Sequence, residues 1–329
     1  MREHTVLFAV VGLVALTALA GCSRPGDAVT RHGDEVVVAG QLFRIGTPVV
    51  LWLDPGGYNA YRARCHFNPD EYFPSAPVDP GNPNRYSNRF TMPDELKAKV
   101  EREGWTLENV QEQVDQFVYH YDACGTSQRC FRVLQDIRGL SVHFMLDLDG
   151  TIYQTLDLKE RAWHANDANC RCVGVEIANP GAYREEKKGT LDEWYAMDEQ
   201  GWPFVSFPSD MTDTYQRTPN FVARPARKEI CSGTINGSVV YQYDFTEQQY
   251  DALIKLTAAM HRIFPKMKLD VPRNADGSVR MDVFTREERN NFSGFMGHQH
   301  VIKAKVDPGP AFDWNRVMQG AQREVGLWP

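Results

Sequence analysis

The stretch GHQHVIKAKVDPGPAFDW, residues 297–314, decides the reading of this chain. It sets His298, Lys305 and Asp307 within ten positions, just ahead of a rigid Pro-Gly-Pro turn. Neutral imidazole nitrogen and carboxylate oxygen are both zinc ligands, and a catalytic zinc takes three protein ligands while one position stays open for water. His298 and Asp307 supply two of the three. The third has to come from far upstream, and His120, at the end of the run FVYH (residues 117–120), is the candidate.

Between these two segments lie three more informative blocks. SVHFMLDLDGTIYQ (residues 141–154) holds two apolar runs around Asp149-Gly150, a strong hairpin signal. RAWHA (residues 161–165) and NCRCVGVEIANPG (residues 169–181) follow. The run VGVEI, residues 173–177, reads as a buried strand, and a carboxylate there is costly unless it has a task or a partner.

Taken in order, the five blocks resemble the zinc-dependent N-acetylmuramoyl-L-alanine amidases of the type 2 family, whose fold is shared with phage amidases and peptidoglycan recognition proteins. The resemblance covers residues 115–181 and 245–314. It implies an α/β fold, a mixed central β-sheet flanked by helices, with insertions and an N-terminal extension. It also implies Zn²⁺ in a surface groove, held by His120, His298 and Asp307. His300 is the nearest competitor, but the family's ligand matches His298.

The matching glutamate of the family faces the metal, which makes Glu176 the general base. Lys305 is two residues before Asp307, on the same side of an extended chain, where its ammonium reaches the oxyanion that forms at the attacked carbonyl. His164 and Asn169 match positions that line the substrate cleft in relatives. His143 is read as a buried, hydrogen-bonded histidine rather than a ligand. Some phage relatives carry a catalytic tyrosine where Val142 stands, so Glu176 takes its part here. The stretch from His298 to Asp307 looks one residue shorter than in the intracellular recycling amidases, with Lys-x-Asp intact.

The activity implied is hydrolysis of the amide between N-acetylmuramic acid and the L-alanine of the stem peptide, in cell-wall turnover or recycling. The partner is peptidoglycan or its muropeptides. A non-catalytic peptidoglycan-binding protein is the alternative. Such relatives typically lose a zinc ligand, and this chain keeps all three candidates with Glu176 and Lys305.

The N-terminus speaks to compartment. An apolar stretch at residues 6–20 follows Arg2, shorter than the about 20 residues of a bilayer span and shaped like a secretory signal. Leu19-Ala20-Gly21-Cys22 then resembles a bacterial lipoprotein box, which implies lipidation of Cys22 and an exported, membrane-anchored protein. Ser23, not aspartate, follows the cysteine. In a host with two membranes this resembles the outer-membrane pattern, with the protein facing the periplasm.

Six further cysteines remain: Cys65, Cys124, Cys130, Cys170, Cys172 and Cys231. An even number in an exported protein permits disulfides. The spacing of Cys124 and Cys130 resembles a disulfide of peptidoglycan recognition proteins at this place. The pairing of the other four stays open. The net charge of −7, without a long basic run, argues against nucleic acid as partner.

The organisation follows from these marks. Residues 1–22 are signal and lipid-box cysteine, 23–34 a polar tether, and 35–114 an extension without a functional motif. The amidase domain spans 115–329, interrupted at about 182–243 and 270–291. Short strands are expected in residues 35–53 around Gly40 and Gly46, and helices over 93–104 and from Leu107. A short helix is expected over residues 128–136. A longer one starts at Thr246, where Gln249 completes a capping box, and stops at Pro265. Its face of Tyr250, Leu253, Ile254, Thr257, Met260 and Phe264 is core packing.

Overall fold

Strands whose two faces are both apolar need cover on both sides, and three such runs form the centre of a six-stranded sheet. The structure is a computed structural model and describes residues 25–68, 85–212 and 214–326. The apolar segment 6–20 and Cys22 lie outside the described residues. Among those described, no helix is long and apolar enough to cross a membrane. All elements below belong to one unit, Gly33–Pro329.

The sheet order is Gly294–Gly297, Gln116–Tyr121, Cys172–Ile177, Phe144–Leu146, Ile152–Gln154, Val49–Leu51. The first four strands run parallel. The chain then turns back antiparallel from Phe144–Leu146 into Ile152–Gln154, and Val49–Leu51 runs parallel to the latter. This is the mixed α/β sheet that the sequence implied.

Alternation along the strands sorts the residues onto two faces. Phe117 and Tyr119, Val173 and Val175, and Phe144 and Leu146 face the main core with Tyr250, Leu253, Leu256 and Met260 of the long helix. Val118, His120, Gly174 and Glu176 therefore face the other way. The helix Glu247–Ile263 begins with the expected capping box between Thr246 and Gln249. Ile254 is only half-buried and packs on the last helix, Trp314–Glu324, where Gly320 makes room for it: a Cβ there would meet Ile254 at 2.6 Å.

The Asp-Gly hairpin forms where expected, with shorter strands. Gly150 has φ 85°, and a Cβ on it would lie 2.8 Å from the Gln248 carbonyl. Both facts require glycine.

Residues of the N-terminal extension are built into the sheet. Val49–Leu51 is its edge strand. The hairpin Glu35–Val38/Gln41–Arg44 beside it is joined through Gln154, whose side-chain amide accepts from Val37 N–H and donates to Val37 C=O, both at 2.8 Å. The Asp157 carboxylate accepts the N–H groups of Ala39 (2.7 Å) and Gly40 (2.8 Å) in the turn.

The helix expected over residues 128–136 divides into an α-helical part, Ser127–Phe131, and a π-helix, Arg132–Arg138. Tertiary contacts favour the wider turn. Gln135 C=O accepts from Arg85, and the Asp136 carboxylate accepts the N–H of His66 (2.6 Å) and Phe67 (2.9 Å). Residues 182–243 hold a short helix, Thr190–Trp194, and two hairpins, Tyr195–Met197/Pro203–Val205 and Cys231–Ile235/Ser238–Gln242.

Asp147, at the start of the Asp-Gly turn, is fully buried, and one of its carboxylate oxygens has no hydrogen-bond partner. Burial, and next the neighbouring Asp149, push its pKa up to about 7. An unfolded aspartate titrates near about 4, so the native state binds the extra proton between these values. Its contribution to stability is therefore present below about pH 4 and lost as pH rises through about 7. Asp147→Asn should be more stable than the parent at pH 8 and lose that advantage at pH 4. Denaturant midpoints at the two pH values check this; an advantage equal at both would refute it.

Candidate active site

The site is assembled on the sheet face turned away from the long helix. His120 and Glu176 are direct partners in the parallel ladder of their strands, so the pleat presents both on that face. The next strand, Gly294–Gly297, pairs Gly297 with Tyr119 and ends in a single helical turn, His298–Val301. That turn sets His298 beside His120. The chain then loops back, with Lys305 N–H on the Ile302 carbonyl (2.9 Å) and Gln299 N–H on the Asp307 carbonyl (3.1 Å), which brings Asp307 to both histidines.

The three side chains converge. His120 Nδ1 and His298 Nδ1 are 3.0 Å apart, and Asp307 Oδ2 is 2.9 Å from the first and 3.0 Å from the second. All three residues are buried and form a group able to hold a metal ion. Burial, and next the neighbouring His298, push the His120 imidazole down to about 4, which keeps it in the neutral, ligating form at pH 7. Burial alone would raise Asp307, but the two histidines pull it below the usual carboxylate range. Two imidazoles and one carboxylate in mutual contact are a donor set that a divalent cation satisfies at once, and the set suits zinc.

Glu176 carries the opposite shift. Burial, then the charges of Asp307 and Asp122, push it well above the usual range, while Lys305 opposes them. A carboxyl raised in this way is suited to exchange protons near neutral pH. Glu176, Lys305 and the three converging residues all line one open pocket of about 540 Å³, whose walls include Leu134, Leu140, Trp163 and Ile302.

The remaining residues singled out in the sequence fall as follows. His164 lines the pocket, and its Nδ1 lies 2.9 Å from His120 Nε2. Asn169 also lines it, but its Oδ1 accepts the N–H of His164 (3.2 Å) and Ala165 (2.6 Å), closing the loop that carries His164. His143 is fully buried, with Nε2 on the Glu160 carbonyl (3.0 Å) and Nδ1 accepting from Gly174 N–H (3.3 Å). His300 is a structural residue too: Nδ1 accepts from Gly297 N–H (2.8 Å) and Nε2 donates to the Arg280 carbonyl (2.7 Å).

The disulfide implied for Cys124 and Cys130 is a point of difference. All six cysteines among the described residues are free thiols. Cys130 is hydrogen-bonded to Cys124, whereas a disulfide brings the sulfurs to about 2.05 Å. Both thiols line the pocket beside His120, His298 and Asp307.

Asn236 is a residue that the reading of the sequence missed. It sits in the two-residue turn Asn236-Gly237, with positive φ at both positions. Its Nδ2 donates to the carbonyls of Gln299 (3.0 Å) and Lys305 (2.9 Å), and its Oδ1 accepts from Val283 N–H (2.7 Å). One side chain thus ties both interrupting segments to the loop between His298 and Asp307. Asn-Gly between two runs is itself a hairpin signal, but nothing local reveals what the asparagine touches.

A mixed sheet with two converging histidines and an aspartate, a half-buried carboxyl and a lysine on the floor of one open groove is the arrangement of a hydrolase. The chain belongs to the Amidase_2 family, described as N-acetylmuramoyl-L-alanine amidase, which matches residues 110–310. It is accordingly an N-acetylmuramoyl-L-alanine amidase, acting on peptidoglycan. Among curated proteins none matches significantly.

Solved structures to which the chain is similar include a Se-Met AmpD derivative, at 16% identity over 71% of this chain and 88% of that one, with a TM-score of 0.31. AmiD from E. coli, solved with anhydro-N-acetylmuramic acid-L-Ala-D-gamma-Glu-L-Lys, is 17% identical over 63% of this chain and 57% of that one, with a TM-score of 0.36. The endolysin amidase LysCS from Clostridium intestinale URNW is 15% identical over 66% and 86%, with a TM-score of 0.31.

Proposed function

We propose that this amidase is zinc-dependent, cleaves between N-acetylmuramic acid and L-alanine in peptidoglycan or its muropeptides, and serves cell-wall turnover or recycling. The observation that carries the reading is the convergence of His120, His298 and Asp307 beside Glu176 on the floor of one pocket.

His120, His298 and Asp307 would hold the ion, and zinc bound there would supply Lewis-acid polarisation of the scissile carbonyl and a water available as nucleophile near neutral pH. The rest falls to the chain's own groups. Glu176 takes the proton from the attacking water and delivers it to the alanine nitrogen as the C–N bond breaks, a transfer helped by its raised proton affinity. The Lys305 ammonium balances the negative charge that develops on the carbonyl oxygen. Leu134, Leu140, Trp163 and Ile302 provide apolar walls that orient the muropeptide and keep bulk water out.

The anchoring reading completes the proposal. Cys22 carries lipid, the protein stays on a membrane, in a two-membrane host the outer one facing the periplasm, and the polar residues after Cys22 tether the domain within reach of peptidoglycan. Support for it is the LAGC sequence after an apolar stretch of signal length. Several acyl chains hold a protein where a single one binds marginally.

Three outcomes are expected. The purified protein should carry about one zinc per chain, and His120→Ala, His298→Ala and Asp307→Ala should each lose metal and activity; elemental analysis showing full zinc in the His298 variant would sink the assignment. Glu176→Gln should keep zinc and fold while turnover falls by roughly 10²–10⁴-fold, and near-normal turnover would reduce Glu176 to a core residue. Cys22→Ala should abolish labelling by a palmitate analogue and block signal processing. A parent protein that is itself unlabelled would end the anchoring reading.

A further inference from the structure

We propose that His164 is a positioning residue of the metal centre: its Nδ1 accepts the Nε2 proton of His120 and holds His120 in the tautomer that presents Nδ1 to the ion. The inference rests on reading His120, His298 and Asp307 as the metal ligands. It gives His164 a task different from the substrate contact that family resemblance implies.

The geometry runs outward from the trio. His120 Nδ1 is the atom 2.9 Å from Asp307 Oδ2 and 3.0 Å from His298 Nδ1, so Nδ1 must offer its lone pair to a metal. The ring proton of His120 then sits on Nε2. The atom facing Nε2 at 2.9 Å is His164 Nδ1, which accepts that proton only as a lone pair. His164 therefore carries its own proton on Nε2, which points at Cys172 Sγ, 3.6 Å away. Each ring in the chain His120–His164–Cys172 is thereby given one protonation pattern. Ligating histidines characteristically donate their outer N–H in this way, and the partner fixes ring and tautomer.

The rings of His120 and His164 meet edge-on, with centroids 5.1 Å apart and planes at 80°, so the ring edge of one addresses the nitrogen of the other. The sheet makes space for this. Gly174 lies under the His164 ring, and a Cβ there would come within 2.3 Å of its Cε1. Any other residue at position 174 would drive the imidazole off its place. Gly174 is paired with Val118, two residues from His120, in the same ladder.

The backbone around His164 is fixed as well. Asn169 Oδ1 accepts the His164 and Ala165 N–H groups. Arg89, fully buried, donates to the carbonyls of Asn169, Cys170 and Cys172, each at 3.1 Å. His298 has no comparable support, because its outer nitrogen, Nε2, is buried without a hydrogen-bond partner. Of the two imidazole ligands, His120 is the one whose orientation the protein sets with a side chain.

The test compares zinc affinity, read by competition with a chromophoric chelator, in the full chain and in His164→Ala and His164→Asn. An asparagine oxygen falls where the histidine Nδ1 stood, so it keeps the acceptor while removing the rest of the ring. His164→Ala should weaken zinc binding by about 10–100-fold, the range for loss of an outer partner. His164→Asn should stay within a few-fold of the parent, and its retained affinity keeps the test valid should the alanine variant fold poorly. Unchanged zinc affinity in His164→Ala, with only KM raised, would overturn the inference and leave a substrate contact. Equal losses in both variants would overturn it too, since the acceptor would not be what matters. A parent protein that binds no zinc would overturn the metal reading first and this inference with it.

Discussion

Register between parallel strands is the constraint on which the site depends. In a parallel ladder, paired residues point to the same face, and a slip of one position would turn every side chain over. The pairing of His120 with Glu176 therefore does two things at once. It sets His120, a proposed metal ligand, beside the proposed base, and it turns Phe117, Tyr119, Val173 and Val175 onto the long helix. The apolar side of these strands fixes the catalytic side. A register shift that moved Glu176 off the pocket would also expose the core, so stability and chemistry are protected by the same pairing.

Charge is arranged in the same economical way. The trio brings together two imidazoles and an ionised carboxylate, whose charge is there for a cation to meet. Glu176 lies in the field of that charge and of Asp122 while buried, which raises its proton affinity. Lys305 works against this from the same pocket. One buried aspartate thus bears both on the two histidines and, at a distance, on Glu176.

The segments that interrupt or precede the amidase pattern support the site from outside. Asn236 pins the loop between His298 and Asp307. The extension supplies an edge strand, and its arginines reach inward: Arg85 holds a carbonyl of the π-helix that forms a pocket wall, and Arg89 holds the loop behind His164. These two side chains donate to backbone carbonyl oxygens. They act as multi-pronged donors that join backbone segments with no ladder in common.

The sequence by itself determined the fold class, the strands that carry His120 and Glu176, the Asp-Gly hairpin, the capped helix from Thr246, and the ligand and base candidates. The hairpin, the capped helix and the strands follow from alternation and turn chemistry, while the fold class and the ligand and base candidates rest on the resemblance of five ordered blocks to the type 2 amidases. Only tertiary structure decided the rest. That Val49–Leu51 enters the sheet, that the helix after Thr126 widens into a π-helix, and that Asn236 clasps the metal loop are all set by partners far away in the chain. The cysteines make the same point, since spacing brings Cys124 and Cys130 near one another but does not fix whether their sulfurs bond. His164 is the clearest case. Family resemblance alone implies a cleft residue, while the nitrogen it meets belongs to a strand forty-four positions upstream, and a hydrogen bond over that separation leaves no trace in local pattern.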